Sequence, residues 1–228
     1  MKKIIFALFA HPDDEAFGPS GTLLVETRAG TELHLILLTS GENGVNPDNN
    51  EDLGDVRLQE WRTAGALIGA RGMHYLGYKD GQLNNHSMIE ISQRIIELIT
   101  SIIKDTPADT KIEFMTNDLN GVTGHIDHIV AARAASQVFY SMKKHDSRFQ
   151  RLRLSCLPFQ DAPDININWL YMEPGRSAKE IDEIIDARSF QDEVIAIIRT
   201  HHTQRADGEY CIARLGDRLG LNYFIVLT

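Results

Sequence analysis

The stretch IIFALFAHPDDEAFG, residues 4–18, decides how the rest of the chain is read. Ile4 to Ala10 is apolar without a break. A strand with one wet face alternates polar and apolar residues, whereas a continuous run marks a strand covered on both faces, as in a parallel sheet between helices. The run ends abruptly in His11, Pro12, Asp13, Asp14 and Glu15. Three adjacent carboxylates repel one another, and burying even one without a partner is costly. Either this turn is an ordinary solvated helix start, favoured by the helix dipole, or something positive sits there.

Working outward, residues 15–29 turn helical, with Gly30 placed to end the helix. Residues 33–38 (LHLILL) form a second buried strand, and 39–53 have turn composition. Residues 55–69 read as a helix, 73–76 as a short strand and 77–85 as a loop. Residues 87–103 carry Ile91, Ile95, Leu98, Ile99 and Ile102 on one face, a helix with Ser87 as candidate N-cap. A strand at 111–115, a Gly-containing loop at 117–124 and a helix from about 126 to 142 follow. This β-α-β-α-β-α-β-α order predicts an α/β fold, a Rossmann-like and mostly parallel sheet with helices on both faces. After Arg151 the pattern loosens. Strands are expected at 152–156, 165–172 and 223–227, with a helix over 189–201. One domain, residues 1–228, with an irregular C-terminal portion is the expectation.

Composition narrows the function classes. The 228 residues are 43% hydrophobic and carry a formal net charge of −9, with basic residues clustered no further than Lys143-Lys144 and Arg151-Leu152-Arg153. No basic stripe exists for a nucleic-acid backbone. Two cysteines, Cys156 and Cys211, imply no disulfide framework. The opening apolar run is short and lacks a small-residue cleavage site, and no run reaches transmembrane length. A cytoplasmic protein without membrane insertion is expected. The C-terminal portion offers a surface for a homo-oligomer.

The polar residues follow the strands. His11, Asp13, Asp14 and Glu15 come after the first, Glu42 and Asn43 after the second, Asp80 after the third, and Asp118, His125, Asp127 and His128 after the fourth. In an open parallel sheet these loops leave from one edge, where such folds bind ligands. Imidazole and carboxylate are zinc ligands, and a catalytic zinc uses three protein donors and keeps a fourth position open. His11, Asp14 and His128 would supply two nitrogens and one oxygen to one divalent ion per chain, with Asp13 left to act as a base. Iron(II) accepts the same triad. His125 and His128, three apart at a helix start, can share a face. Asp127 is placed to hydrogen-bond one of these imidazoles and fix its tautomer.

AHPDDEAFGPSGTL and GHIDH resemble the two signature motifs of the PIG-L / LmbE-like de-N-acetylases. TSGENG (39–44), the segment VRLQEWRTAGALIGARGMHYLGYKDG and AIIRTHHTQ (196–204) are similar to further elements of that family. The resemblance implies a zinc-dependent hydrolase that removes acetyl from an N-acetylglucosamine-type sugar or its conjugate, a small-molecule substrate. It implies His11, Asp14 and His128 as metal ligands and Asp13 as general base. It also implies His125 as the group that protonates the leaving amine or stabilises the oxyanion, and Asp127 as the acid tuning it. Arg57 and Asp80 match positions that contact the sugar in some members. Glu42, in the TSGENG loop, joins them as a candidate substrate contact, and His201 is either structural or pocket-lining. Two departures concern the substrate: Thr123 stands where some members have tyrosine, and residues 161–183 form a longer segment than the family core needs. An amidase acting on a larger conjugate, a metal-binding or sugar-binding protein without turnover, and a two-metal phosphoesterase are the competing readings. The intact Asp13 and His125 speak against mere binding, and the lack of a second ligand set speaks against the phosphoesterase.

Overall fold

The computed structural model describes residues 2–162 and 175–228. In chain order the elements are β1 (Lys3–Phe9), α1 (Asp14–Phe17), α2 (Ser20–Arg28), β2 (Glu32–Thr39), α3 (Leu53–Ile68), β3 (Gly72–Tyr78), α4 (Asn85–Ile103), β4 (Lys111–Asn117), α5 (Gly121–Gly124), α6 (Ile126–Lys143), β5 (Phe149–Cys156), β6 (Glu183–Asp186), α7 (Gln191–Thr200), α8 (Arg205–Leu215) and β7 (Leu221–Leu227). They build one seven-stranded sheet in the order β3-β2-β1-β4-β5-β7-β6. The first five strands are mutually parallel, and β7 runs antiparallel to both β5 and β6. The expected α/β sheet, mostly parallel with helices on both faces, is the one observed.

The continuous apolar run of β1 has the expected cause. Ile4, Phe6, Leu8 and Ala10 enter a core with α4 and α6, while Ile5, Ala7 and Phe9 enter a second core with α2, α3 and α7. Each helix turns one stripe to the sheet: Leu58, Trp61, Ala64 and Ile68 on α3, and Ile91, Ile95, Ile99 and Ile103 on α4. β1 lies at the centre of the five parallel strands, and the strand order reverses between it and β4. The loops leaving these two strands therefore diverge and open a crevice at their C-terminal ends, the position where such sheets bind ligands.

Several local expectations are corrected. The helix expected over 15–29 is two helices, because Pro19 has no N–H to donate and interrupts the ladder. Asn84, not Ser87, caps α4; Ser87 sits three residues on and completes a reciprocal capping box. The helix expected over 189–201 begins as a 3₁₀ turn and becomes α-helical at Gln191. Helix α8 and strand β6 were not anticipated. Gly208 is the one buried residue of α8, so no apolar stripe announces it. The strand expected at 165–172 lies outside the described residues, as does most of the 161–183 segment.

Phe114 sits at 0% exposure against the rings of Phe6, Phe139 and Phe149, with centroids 5.8, 6.0 and 6.0 Å away. Phe114→Ala leaves a cavity under the strand next to the crevice and is expected to cost about 3–5 kcal/mol. Urea unfolding of chelator-treated protein measures it; a loss below about 1 kcal/mol would mean that the core collapses around the gap.

Candidate active site

His11 leaves the end of β1 and His128 projects from the first turn of α6, so the two rings meet across the β1/β4 crevice. His11 Nδ1 and His128 Nε2 are 3.0 Å apart. Their outer nitrogens are engaged elsewhere. His128 Nδ1 lies 3.0 Å from the Gly121 carbonyl, which can only accept, so this nitrogen carries the proton. His11 Nε2 lies 2.9 Å from Asp80 Oδ1 and 3.4 Å from Asp127 Oδ2, an ion-pair contact whose angles fall short of a hydrogen bond. Carboxylates also only accept, so this nitrogen is protonated as well. With neutral rings, the two inner nitrogens would then point lone pairs at each other. A positive charge between them is required.

Without a metal, that charge is a proton. Burial lowers the basicity of His11, but Asp127, Asp80 and Asp14 overcome it and raise its pKa to about 10. Burial and repulsion from His11 lower the pKa of His128 below the usual imidazole range, although Asp14 pulls the other way. The nitrogens are spaced much as two zinc donors are: Zn–N bonds of about 2.0 Å set tetrahedral donors about 3.3 Å apart. The residues therefore fit a divalent cation, which would take the place of the proton.

Two groups of ligand atoms among the described residues lie within 4.8 Å of one another: His11, His125 and His128, and His11, Asp80 and Asp127. Asp14 falls outside both groups, yet its Oδ1 is 3.1 Å from His128 Nε2. Its Oδ2 accepts the Ala10 and His11 amides at 3.1 and 3.0 Å. Burial opposes ionisation of Asp14, but the His128 and His11 charges and these amides hold its carboxyl below the ordinary range. The second group is already occupied with support. Asp127 accepts from Gly81 N–H at 2.7 Å and Leu83 N–H at 3.2 Å. Asp80 Oδ2 accepts from Asn43 N–H at 3.0 Å.

Asp13 stands in the turn between His11 and Asp14 with φ 112°. Burial is the largest influence on its carboxyl and raises it to about 7, against the lowering by Arg57. His125 caps α6: its Nδ1 accepts the Asp127 backbone N–H at 3.1 Å, so in the neutral ring the proton is on Nε2. Burial and the neighbouring His128 and His11 push its pKa down to about 4.

Four of the expected residues have protein partners that the sequence did not suggest. Arg57 is 4% exposed and faces the protein, not the crevice mouth. Its Nη1 donates to the Gly41 carbonyl at 2.8 Å, and its Nη2 donates to the Pro12 carbonyl at 2.7 Å and to Asp13 Oδ2 at 3.0 Å. A Cβ at Gly41 or Gly44 would strike this guanidinium, which explains both glycines of TSGENG. Glu42 Oε1 accepts the Asp80 N–H at 3.0 Å, and its Oε2 accepts the Ser40 hydroxyl at 2.8 Å. Arg57, through Nη1 and Nη2, and the carboxylates of Asp80 and Glu42 are thus engaged by protein groups, which brace the site from within. The Asp127 carboxylate approaches His11, while its effect on His125 comes through charge and the backbone cap. Thr123 is exposed, with its hydroxyl 3.5 Å from the Gly121 carbonyl. The Gly121 carbonyl and the amides of Gly81, Leu83 and Asn43 were missed. Backbone groups leave no residue-type signal in a sequence.

Residues 6–139 match the model of the PIG-L family, GlcNAc-PI de-N-acetylase. The 1D-myo-inositol 2-acetamido-2-deoxy-alpha-D-glucopyranoside deacetylase of Acidothermus cellulolyticus is 29% identical over 266 residues, covering 100% of this chain and 89% of that protein. Among solved structures, the N,N'-diacetylchitobiose deacetylase of Pyrococcus horikoshii superposes with a TM-score of 0.66 at 16% identity, over 99% of this chain and 84% of that one. GalB, the 4-carboxy-2-hydroxymuconate hydratase of Pseudomonas putida, gives 0.66 at 14% identity, over 100% and 97%. At these identities the structural likeness is one of fold, and the fold serves a deacetylase and a hydratase alike. The family match takes in both signature motifs and more than half of the chain, and this protein belongs to the PIG-L family of de-N-acetylases.

Proposed function

We propose that this protein is a zinc-dependent N-deacetylase that hydrolyses the acetamide of an N-acetylglucosamine-type glycoside. The observation that carries this reading is the pair of imidazole nitrogens facing each other at 3.0 Å beside the buried carboxylate of Asp14 and the partly buried one of Asp13. The substrate class draws on the full-length relative, whose name specifies a 2-acetamido-2-deoxyglucoside.

His11, Asp14 and His128 would hold the cation, Asp14 bringing the negative charge that two neutral imidazoles lack. When bound, the ion supplies Lewis acidity, bringing a water's pKa down to about 7 and polarising the acyl oxygen. Asp13 takes the proton of the attacking water. Arg57 holds that carboxylate in place from behind. His125, neutral and protonated on Nε2, donates a hydrogen bond to the oxygen on which charge develops. Its Nδ1 is occupied by a backbone N–H, which disfavours the imidazolium expected of a general acid. Asp13, having gained the water's proton, returns it to the departing amine. The products are acetate and a free amino sugar.

The direct test is release of acetate and amine from a set of N-acetylglucosamine glycosides, with chelated protein and after loading zinc or iron(II) separately. Metal-dependent release of both products is expected, and the better ion identifies the working metal. Amine released with a longer acid instead of acetate would point to the amidase reading. Metal bound without turnover on any glycoside would count against the deacetylase.

Asp13→Asn is expected to keep one metal per chain and lose turnover by about 10²–10⁴-fold. Retained turnover in the loaded variant would remove Asp13 as base. Asp14→Ala and His128→Ala should lose metal by elemental analysis, whereas His125→Ala should keep it; metal kept by Asp14→Ala and lost by His125→Ala would favour the three-histidine set.

Loading the metal should also release a proton. His11 is protonated up to about pH 10 without the ion, and the cation replaces that proton. Apparent affinity should therefore rise with pH from about 7 towards 10 and weaken below. Indicator dye in weakly buffered solution reads the release, and loading without it would contradict the place-holding proton.

A further inference from the structure

Asp13 holds a backbone conformation that a non-glycine residue rarely adopts, with φ 112° and ψ −25°. Such a geometry persists only where the surroundings impose it. Arg57 grips the carboxylate and the preceding carbonyl from one side. On the other side is Glu15. Its Oε2 accepts the Asp13 N–H at 3.2 Å, and its Oε1 lies 2.8 Å from His201 Nε2.

Glu15 and His201 are both 0% exposed, so neither reaches a substrate. His201 is 186 positions away from Glu15, at the end of α7, and lies beyond the stretch that matches the family model. Its ring packs edge-on against Phe17 with centroids 6.2 Å apart. The residues after it are pinned. Thr203 gives its N–H and hydroxyl to Glu60 at 2.8 and 2.6 Å, and Gln204 Nε2 donates to the Val45 carbonyl at 3.0 Å. The imidazole is thus fixed relative to α3 and to the loop after β2. A core that needed only filling would use apolar side chains there, since a buried carboxylate and imidazole bring a desolvation cost.

We propose that His201 is a positioning residue that acts through Glu15 to hold the Asp13 turn in its left-handed conformation. The C-terminal third of the chain thereby sets the geometry of a group in the N-terminal motif. This deepens the reading of Asp13 as the base and rests on it.

The test compares His201→Phe, which keeps the ring shape without the donor, His201→Gln, which restores an N–H, and the control His202→Ala, whose side chain is 68% exposed. Each is loaded with zinc and assayed on an N-acetylglucosamine glycoside. His201→Phe should keep one metal per chain and a KM within about 2-fold, while kcat falls about 100-fold, the scale of a 1 Å misplacement of a reacting group. His201→Gln should recover part of kcat, and His202→Ala should match the parent. An unchanged kcat in folded, loaded His201→Phe would overturn the proposal. So would a loss confined to KM, or one that tracks lost metal. Crystal structures of the parent and His201→Phe decide the matter without an assay. Asp13 should leave positive φ while His11, Asp14 and His128 stay in place. An unmoved Asp13 overturns the proposal even if the parent hydrolyses none of the glycosides, an outcome that would instead overturn the deacetylase reading. If His201→Phe does not fold, Glu15→Gln takes its place with the same readouts, since it removes the negative charge that orders the imidazole.

Discussion

His11 Nδ1 and His128 Nε2 face each other across 3.0 Å, and that contact tolerates no arrangement without a positive charge between the rings. The rest of the site is built to keep it so. The outer nitrogen of each ring is turned toward groups that can only accept, the Gly121 carbonyl on one side and the Asp80 and Asp127 carboxylates on the other. Those carboxylates are held by the amides of Asn43, Gly81 and Leu83. The structure is therefore layered: backbone amides fix carboxylates, carboxylates fix an imidazole, and the imidazoles present lone pairs to one point. Partners in the outer layers decide ring orientation and tautomer, which ligand identity alone leaves open.

The sheet makes this layering possible. His11 and His128 lie at the C-terminal side of β1 and β4, neighbouring strands whose crossovers go opposite ways. The supporting loops after β2 and β3 come in from one flank, with Glu42 bonding to the Asp80 amide across the gap between them. At the other ends of the strands, Lys3, Glu26, Glu113, Arg151 and Arg153 form a second group of charges. There the cations are fixed side chains that face acids directly. The same sheet carries charge at both ends, but at the crevice end two inward-facing imidazoles share one positive charge.

Much of this architecture was legible in one dimension because its causes are periodic or local. The unbroken apolar run of β1 reports a strand covered on both faces, and the isoleucines of α4 recur at four-residue steps because one stripe meets the sheet. The gathering of His11, Asp14 and His128 is readable because the loops after parallel strands leave from one sheet edge. Helix α8 was not legible because it buries too little to leave a pattern.

The sequence by itself determined the mostly parallel α/β sheet, the edge on which chemistry gathers and the residue types that gather there. Tertiary structure decided which groups each of those residues meets. Arg57 reads as a sugar contact until its guanidinium is found on Pro12, Asp13 and Gly41, up to 45 positions away. Asp127 reads as the partner of His125 until its carboxylate is found beside His11, and His201 has no assigned work until it meets Glu15. The reason is physical. Period and composition record which face of an element is buried, whereas the role of a polar group depends on which donor or acceptor lies within about 3 Å of it. That neighbour is chosen by packing between elements far apart in the chain.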